Sequence, residues 1–118
     1  MGQTLEVSPL QIEIGDTEVW FRFSDPSAAM LEIPPAFENQ LRDVIDNNRL
    51  NLEGRSVHLE LGNITAISSR QLGMILTVRE VMKSFGKLQL HNISGSVKHL
   101  LQLTGTDRFF DLAPAESP

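Results

Sequence analysis

Apolar and polar residues alternate twice near the amino terminus. Leu10, Ile12 and Ile14 precede Gly15-Asp16-Thr17, and Val19, Phe21 and Phe23 follow it. A period of two buries one face of a strand, so these runs predict a hairpin with Trp20 and Arg22 on its other face. Ser24-Asp25-Pro26-Ser27 breaks the second strand, and Pro34-Pro35 closes an irregular connection. From there the spacing lengthens. Phe37, Leu41, Val44 and Ile45 predict a helix over about 36–47, followed by a polar loop at 48–54. Val57, Leu59 and Leu61 predict a third strand, with His58 and Glu60 on its opposite face. Leu72, Ile75, Leu76, Val78, Met82 and Phe85 then mark the longest helix, opening at Ser68 and Ser69, running to about Ser84 and stopped by Gly86. Leu88 and Leu90 predict a fourth strand. Ser94 caps a helix carrying Val97, Leu100, Leu101 and Leu103, Gly105 ends it, and Arg108–Leu112 predicts a last short strand.

Two antiparallel strands followed by three helix–strand repeats make an α/β domain. The expected architecture is a mixed β-sheet, an antiparallel N-terminal hairpin plus parallel strands, with helices mainly on one face. Residues 1–112 read as one domain and 113–118 as a flexible tail. A chain of 118 residues with 41% hydrophobic content is long enough for one core and too short for two. The net charge of −5, with no stripe of Lys or Arg, argues against nucleic acid as a partner. The chain has no cysteine, which removes disulfides and thiolate metal sites and suits a reducing cytoplasm. No apolar run approaches membrane-spanning length, so no membrane insertion is expected.

Candidate chemistry gathers where the longest helix opens. Ser68 with Gln71 three residues on is a Ser-x-x-Gln capping box. Ser69 then takes the first helical position, beside backbone N–H groups that lack an intrahelical partner. A phosphate on Ser69 would sit at the positive end of the helix dipole, where it is tolerated. Two readings stay open for Ser69: a serine that merely starts a helix, and a phosphoacceptor.

Elsewhere the signals are weaker. His58, Glu60 and His91 could share a face as two histidines and a carboxylate do around a metal. Solvent-facing strand residues are the simpler account, so neither metal nor other cofactor is expected. Glu38, Asp43 and Asp46 read as a wet helix face, and His99 as surface. Met74, Val78 and Val81 read as core, with a partner surface over part of that stripe as the alternative. There is no nucleophile elbow, no Cys nucleophile and no phosphate loop. With no nucleophile–base pair to assemble, the chain reads as non-catalytic.

Three stretches carry a family resemblance. Val57-His-Leu-Glu-Leu61 resembles the strand that leads into the signature turn of the STAS domain family, whose best-known members are bacterial anti-sigma factor antagonists. That family's pattern Asp-Ser-Ser-Gly-Leu-Gly lies without gaps on Ser68-Ser69-Arg70-Gln71-Leu72-Gly73. The stretch 96–110 is similar to the family's last long helix and the strand after it. The resemblance spans roughly Leu10 to Leu112. It implies a STAS-like fold and a cytoplasmic partner-switching cycle in bacterial signalling and transcription regulation. In that cycle an anti-sigma factor serine kinase phosphorylates the antagonist and thereby releases it, and a serine phosphatase resets the system. The pattern's first serine falls on Ser69, which makes Ser69 the implied phosphoacceptor. The implied partner-binding surface is Thr65, Ser68, Ser69, Arg70, Gln71 and Gly73, on a monomer or weak dimer. Here Ser68 stands where the pattern has Asp and Arg70-Gln71 where it has Ser-Gly; Ser68 keeps the capping role. The altered signature also suits a second expectation, a constitutive STAS scaffold or accessory subunit of a sensory or transporter assembly that is not phosphorylated.

Overall fold

A computed structural model of the chain describes residues 2–23, 33–62, 64 and 67–112. The predicted hairpin is present as β2 (Leu10–Ile14) and β3 (Glu18–Phe23), paired antiparallel with Ile12 opposite Phe21. A strand that the pattern did not announce, β1 (Gln3–Val7), adds to its outer edge, with Leu5 opposite Ile12 and Val7 opposite Leu10. Helix α1 (Phe37–Asn47) buries Phe37, Leu41 and Ile45. The expected polar loop at 48–54 is corrected by the short helix α2 (Arg49–Leu52), which sends Leu52 into the core while Leu50 stays 87% exposed.

Strand β4 (Ser56–Glu60), helix α3 (Ser69–Met82), strand β5 (Gln89–His91) and helix α4 (Gly95–Leu103) follow in the predicted order. Ser94 caps α4 as expected, its hydroxyl accepting from the Val97 N–H at 3.2 Å. Leu103, counted with that helix's apolar set, is instead 70% exposed. Helix α3 tightens into a 3₁₀ turn over Lys83–Phe85, and Gly86 ends it at φ 127°, a conformation that favours glycine. The final strand is shorter than expected. Asp107–Phe109 forms a 3₁₀ turn, which leaves β6 only Asp111 and Leu112. The break at 24–27, Thr65 and the tail at 113–118 lie outside the described residues.

The described residues form one six-stranded sheet in the order β1 to β6. β1, β2 and β3 run antiparallel, and β3, β4, β5 and β6 run parallel. Successive parallel strands in sequence order, joined by right-handed crossovers, place their connecting helices over the same face. The packing agrees. Leu41 and Ile45 of α1, Ile75, Val78 and Met82 of α3, and Val97 and Leu101 of α4 share one cluster with the inward strand residues. Registered rows, Val19 against Val57 and Phe21 against Leu59, supply the sheet's half of that core. Burying each such side chain contributes about 1.5–3 kcal/mol. The result is a small α/β domain with a mixed sheet and its helices on one side. Among the described residues, no helix is long and apolar enough to cross a membrane.

Candidate functional site at the opening of the longest helix

Ser68 is in extended backbone, φ −84° and ψ 171°, the geometry of a residue about to enter a helix. Its hydroxyl accepts from the Gln71 N–H at 3.2 Å, and the Gln71 side-chain oxygen accepts from the Ser68 N–H at 2.7 Å. Both halves of the capping box are therefore made. Ser69 follows as the first residue of α3, with its side chain exposed, as are those of Ser68 and Arg70 and the backbone at Gly73. Gln71 is corrected: expected on the contact surface, it is 7% exposed because its amide is turned back onto the cap. It holds the turn from beneath. Thr65 lies outside the described residues.

Beside this turn runs an open groove of about 470 Å³ between α3 and the start of α1. Ile33, Pro34, Phe37 and Met74 give it apolar walls, and Arg70 and Glu38 bring opposite charges to it. Arg70, Met74 and Thr77 recur at the spacing of one helix face, so the groove is a face of α3 that begins one residue after Ser69. The Met74, Val78 and Val81 stripe is buried, as the pattern indicates.

The open face of the sheet holds a second cluster. His58 and His91 do face the same way, but the pair is closed on itself, with His58 Nδ1 2.8 Å from His91 Nε2. Trp20 stacks on His58 at 4.6 Å between ring centroids and lies 4.6 Å from His91. The guanidinium of Arg22 rests over the Trp20 ring and pairs with Glu13. His58 is 5% exposed, against the expectation of a solvent-facing residue, because neighbouring strands supply rings that cover it. Burial is the main cause holding its pKa below the usual 6.5; His91 adds to this and Glu18, 3.4 Å away, opposes it. Glu60 does not join. Its carboxylate accepts from the Gly62 N–H at 2.7 Å and from Asn92 at 3.0 Å. Among the described residues no three His, Asp or Glu side chains are grouped to hold a metal.

The network also holds a pair that sequence reasoning did not find, Ser56 Oγ 2.7 Å from His58 Nε2. The signal was a serine two residues before a histidine on one strand face, which alternation alone places side by side. A hydroxyl and two imidazoles are thus connected in the order that a serine nucleophile, its base and an orienting group take in acyl transfer. The Ser56 N–H, however, is spent on the Thr17 carbonyl at 3.1 Å, so the serine's own backbone donor is not free to hold an oxyanion. The other charged residues singled out from the sequence lie at the surface. Glu38 pairs with Arg42 at 3.0 Å and Asp46 with Arg49 at 3.0 Å on the wet face of α1, and Asp43 and His99 are exposed.

No protein-family model matches the chain, and no curated protein matches it in sequence. Among solved structures, it is similar to the solution NMR structure of a protein designated TM1081. The two superpose with a TM-score of 0.62 at 18% identity, over 96% of this chain and 84% of the other. The likeness is one of fold. It places the mixed sheet and its helices in company with a solved structure and carries nothing about activity.

Proposed function

We propose that the chain is a non-catalytic signalling switch of the STAS type. In this reading it is an anti-sigma factor antagonist that docks on an anti-sigma serine kinase through the opening turn of α3. Phosphorylation of Ser69 releases it. The observation that carries the reading is the exposed Ser69 side chain at the first position of a fully capped helix, beside the groove that starts at Arg70. A phosphate there meets the positive helix end and leaves the free protein folded. In a docked interface the same group brings about two negative charges that must be desolvated. An uncompensated buried charge costs several kcal/mol, about a hundredfold or more in affinity. The reading places the protein in the bacterial cytoplasm, with a serine phosphatase to restore the unmodified form.

The test pairs the protein with the cognate kinase and labelled ATP. Label should enter the wild type and not Ser69→Ala, and Ser69→Asp should bind the kinase about a hundredfold more weakly. Unlabelled wild type together with undiminished binding by Ser69→Asp overturns the reading. That outcome would favour a constitutive scaffold or accessory subunit. Arg70, directly after Ser69 and lining the groove, is the observation on that side, because a guanidinium there blunts an added negative charge.

A further inference from the structure

At the far end of α3 the surface reverses character. The last turn of α3, the 3₁₀ turn after it, the approach to β5 and the 3₁₀ turn before β6 enclose a hollow of about 250 Å³. Its lining is Arg79, Lys83, Gly86, Lys87, Arg108 and Phe109. The chain has ten Lys and Arg against fifteen Asp and Glu, and four of those ten cations line this one hollow. Two carboxylates answer them. Glu80 holds Lys83 at 2.6 Å and lies 3.5 Å from Arg79, and Asp111 lies 3.5 Å from Lys87. Arg108 makes no ion pair among the described residues. Its guanidinium lies 5.5 Å from the Phe109 ring centre, and that of Arg79 lies 4.8 Å from it.

Cations near a helix carboxyl end offset the dipole, which accounts for Arg79 and Lys83. It does not account for Lys87 and Arg108, which arrive from other segments and add repulsion to a site already positive. Like charges gathered in a concavity focus a field that attracts an anion. Two guanidiniums are forks shaped for tetrahedral oxyanions, and two ammonium groups add point charge. The volume lies below the roughly 300–1,000 Å³ of ordinary ligand pockets, so it suits a compact head group rather than a whole large ligand.

We propose that this hollow is a binding site for a phosphate group, as the free anion or as the head of a small phosphomonoester. It is separate from Ser69. Helix α3 spans fourteen residues from Ser69 to Met82, about 20 Å end to end at 1.5 Å per residue. The site neither needs nor predicts modification of Ser69, and its failure would leave the proposed switch untouched.

The test is titration of ¹⁵N-labelled protein with inorganic phosphate and, separately, with glycerol 1-phosphate, at constant ionic strength. Saturable amide shifts should centre on Gly86, Lys87, Arg108 and Phe109, and the tighter of the two probes identifies the source of the phosphate. Arg79→Gln with Arg108→Gln should weaken binding by at least about tenfold. Lys87→Gln with Arg108→Gln spares the Arg79–Phe109 contact, and it gives the same readout should the first pair perturb folding. Arg22→Gln, on the open face of the sheet and already paired with Glu13, should change nothing. Absence of saturation with both probes, or equal weakening by Arg22→Gln, overturns the site.

Discussion

Leu59 and His58 are neighbours on β4, point to opposite faces of the sheet, and are almost equally hidden, 0% and 5% exposed. What hides them differs. Leu59 lies in a row with Phe21 and Leu90, under helices that close the core over it. His58 is covered by an indole and a second imidazole lying on an otherwise open sheet, tied by hydrogen bonds to Ser56 and His91. One face is filled by shape and the other is roofed by polar side chains. Fractional burial therefore says little about how much a position contributes until the nature of the cover is known.

Truncating each residue in turn exposes the difference. Leu59→Ala leaves a cavity that three helices and a sheet cannot close, and should cost about 2–5 kcal/mol in urea unfolding. His58→Ala removes a stacking contact and two hydrogen bonds, but Ser56 and His91 are partly exposed and regain water. Its expected cost is about 1–2 kcal/mol. Equal losses at the two positions would erase the contrast and make the open face a second core.

The two faces were not equally legible beforehand. Alternation at Leu10 to Ile14 and Val19 to Phe23 fixes which side of each strand is apolar, and the inner face follows directly. The same alternation puts Trp20, His58 and His91 outward but cannot say that they touch. That depends on register between parallel strands, Trp20 against His58 and Glu60 against His91, which long crossovers set. Local signals fared by length. The Ser68–Gln71 box was readable because its whole mechanism spans four residues. Helix α2 was hidden because one turn has no period to show. Strand β1 was hidden because only Leu5 and Val7 mark its inward side, with Gln3 in the remaining place. The groove and the basic hollow join residues such as Phe37 with Met74, or Lys83 with Arg108, and no window on the sequence contains both.

The smallest effect is a matter of sign, and it belongs to the open face alone. Burial holds the His58 pKa below 6.5, with His91 adding to the effect and the Glu18 carboxylate opposing it. The unfolded chain takes up this proton near the ordinary value, whereas the folded chain waits for lower pH. Between the two values the unfolded state binds more protons, so stability rises with pH there and falls on acidification. The urea midpoint should therefore drop from about pH 7 to about pH 5, then level off from this source once pH passes the folded value. Glu80 does not confuse the window, since Lys83 holds its carboxyl below 4.5. His58→Gln should flatten the slope. Glu18→Gln should steepen it, because it removes a neighbouring charge that favours a proton on His58. A flatter slope in Glu18→Gln would mean that the carboxylate, as a hydrogen-bond acceptor, steadies the neutral ring more than the charged one.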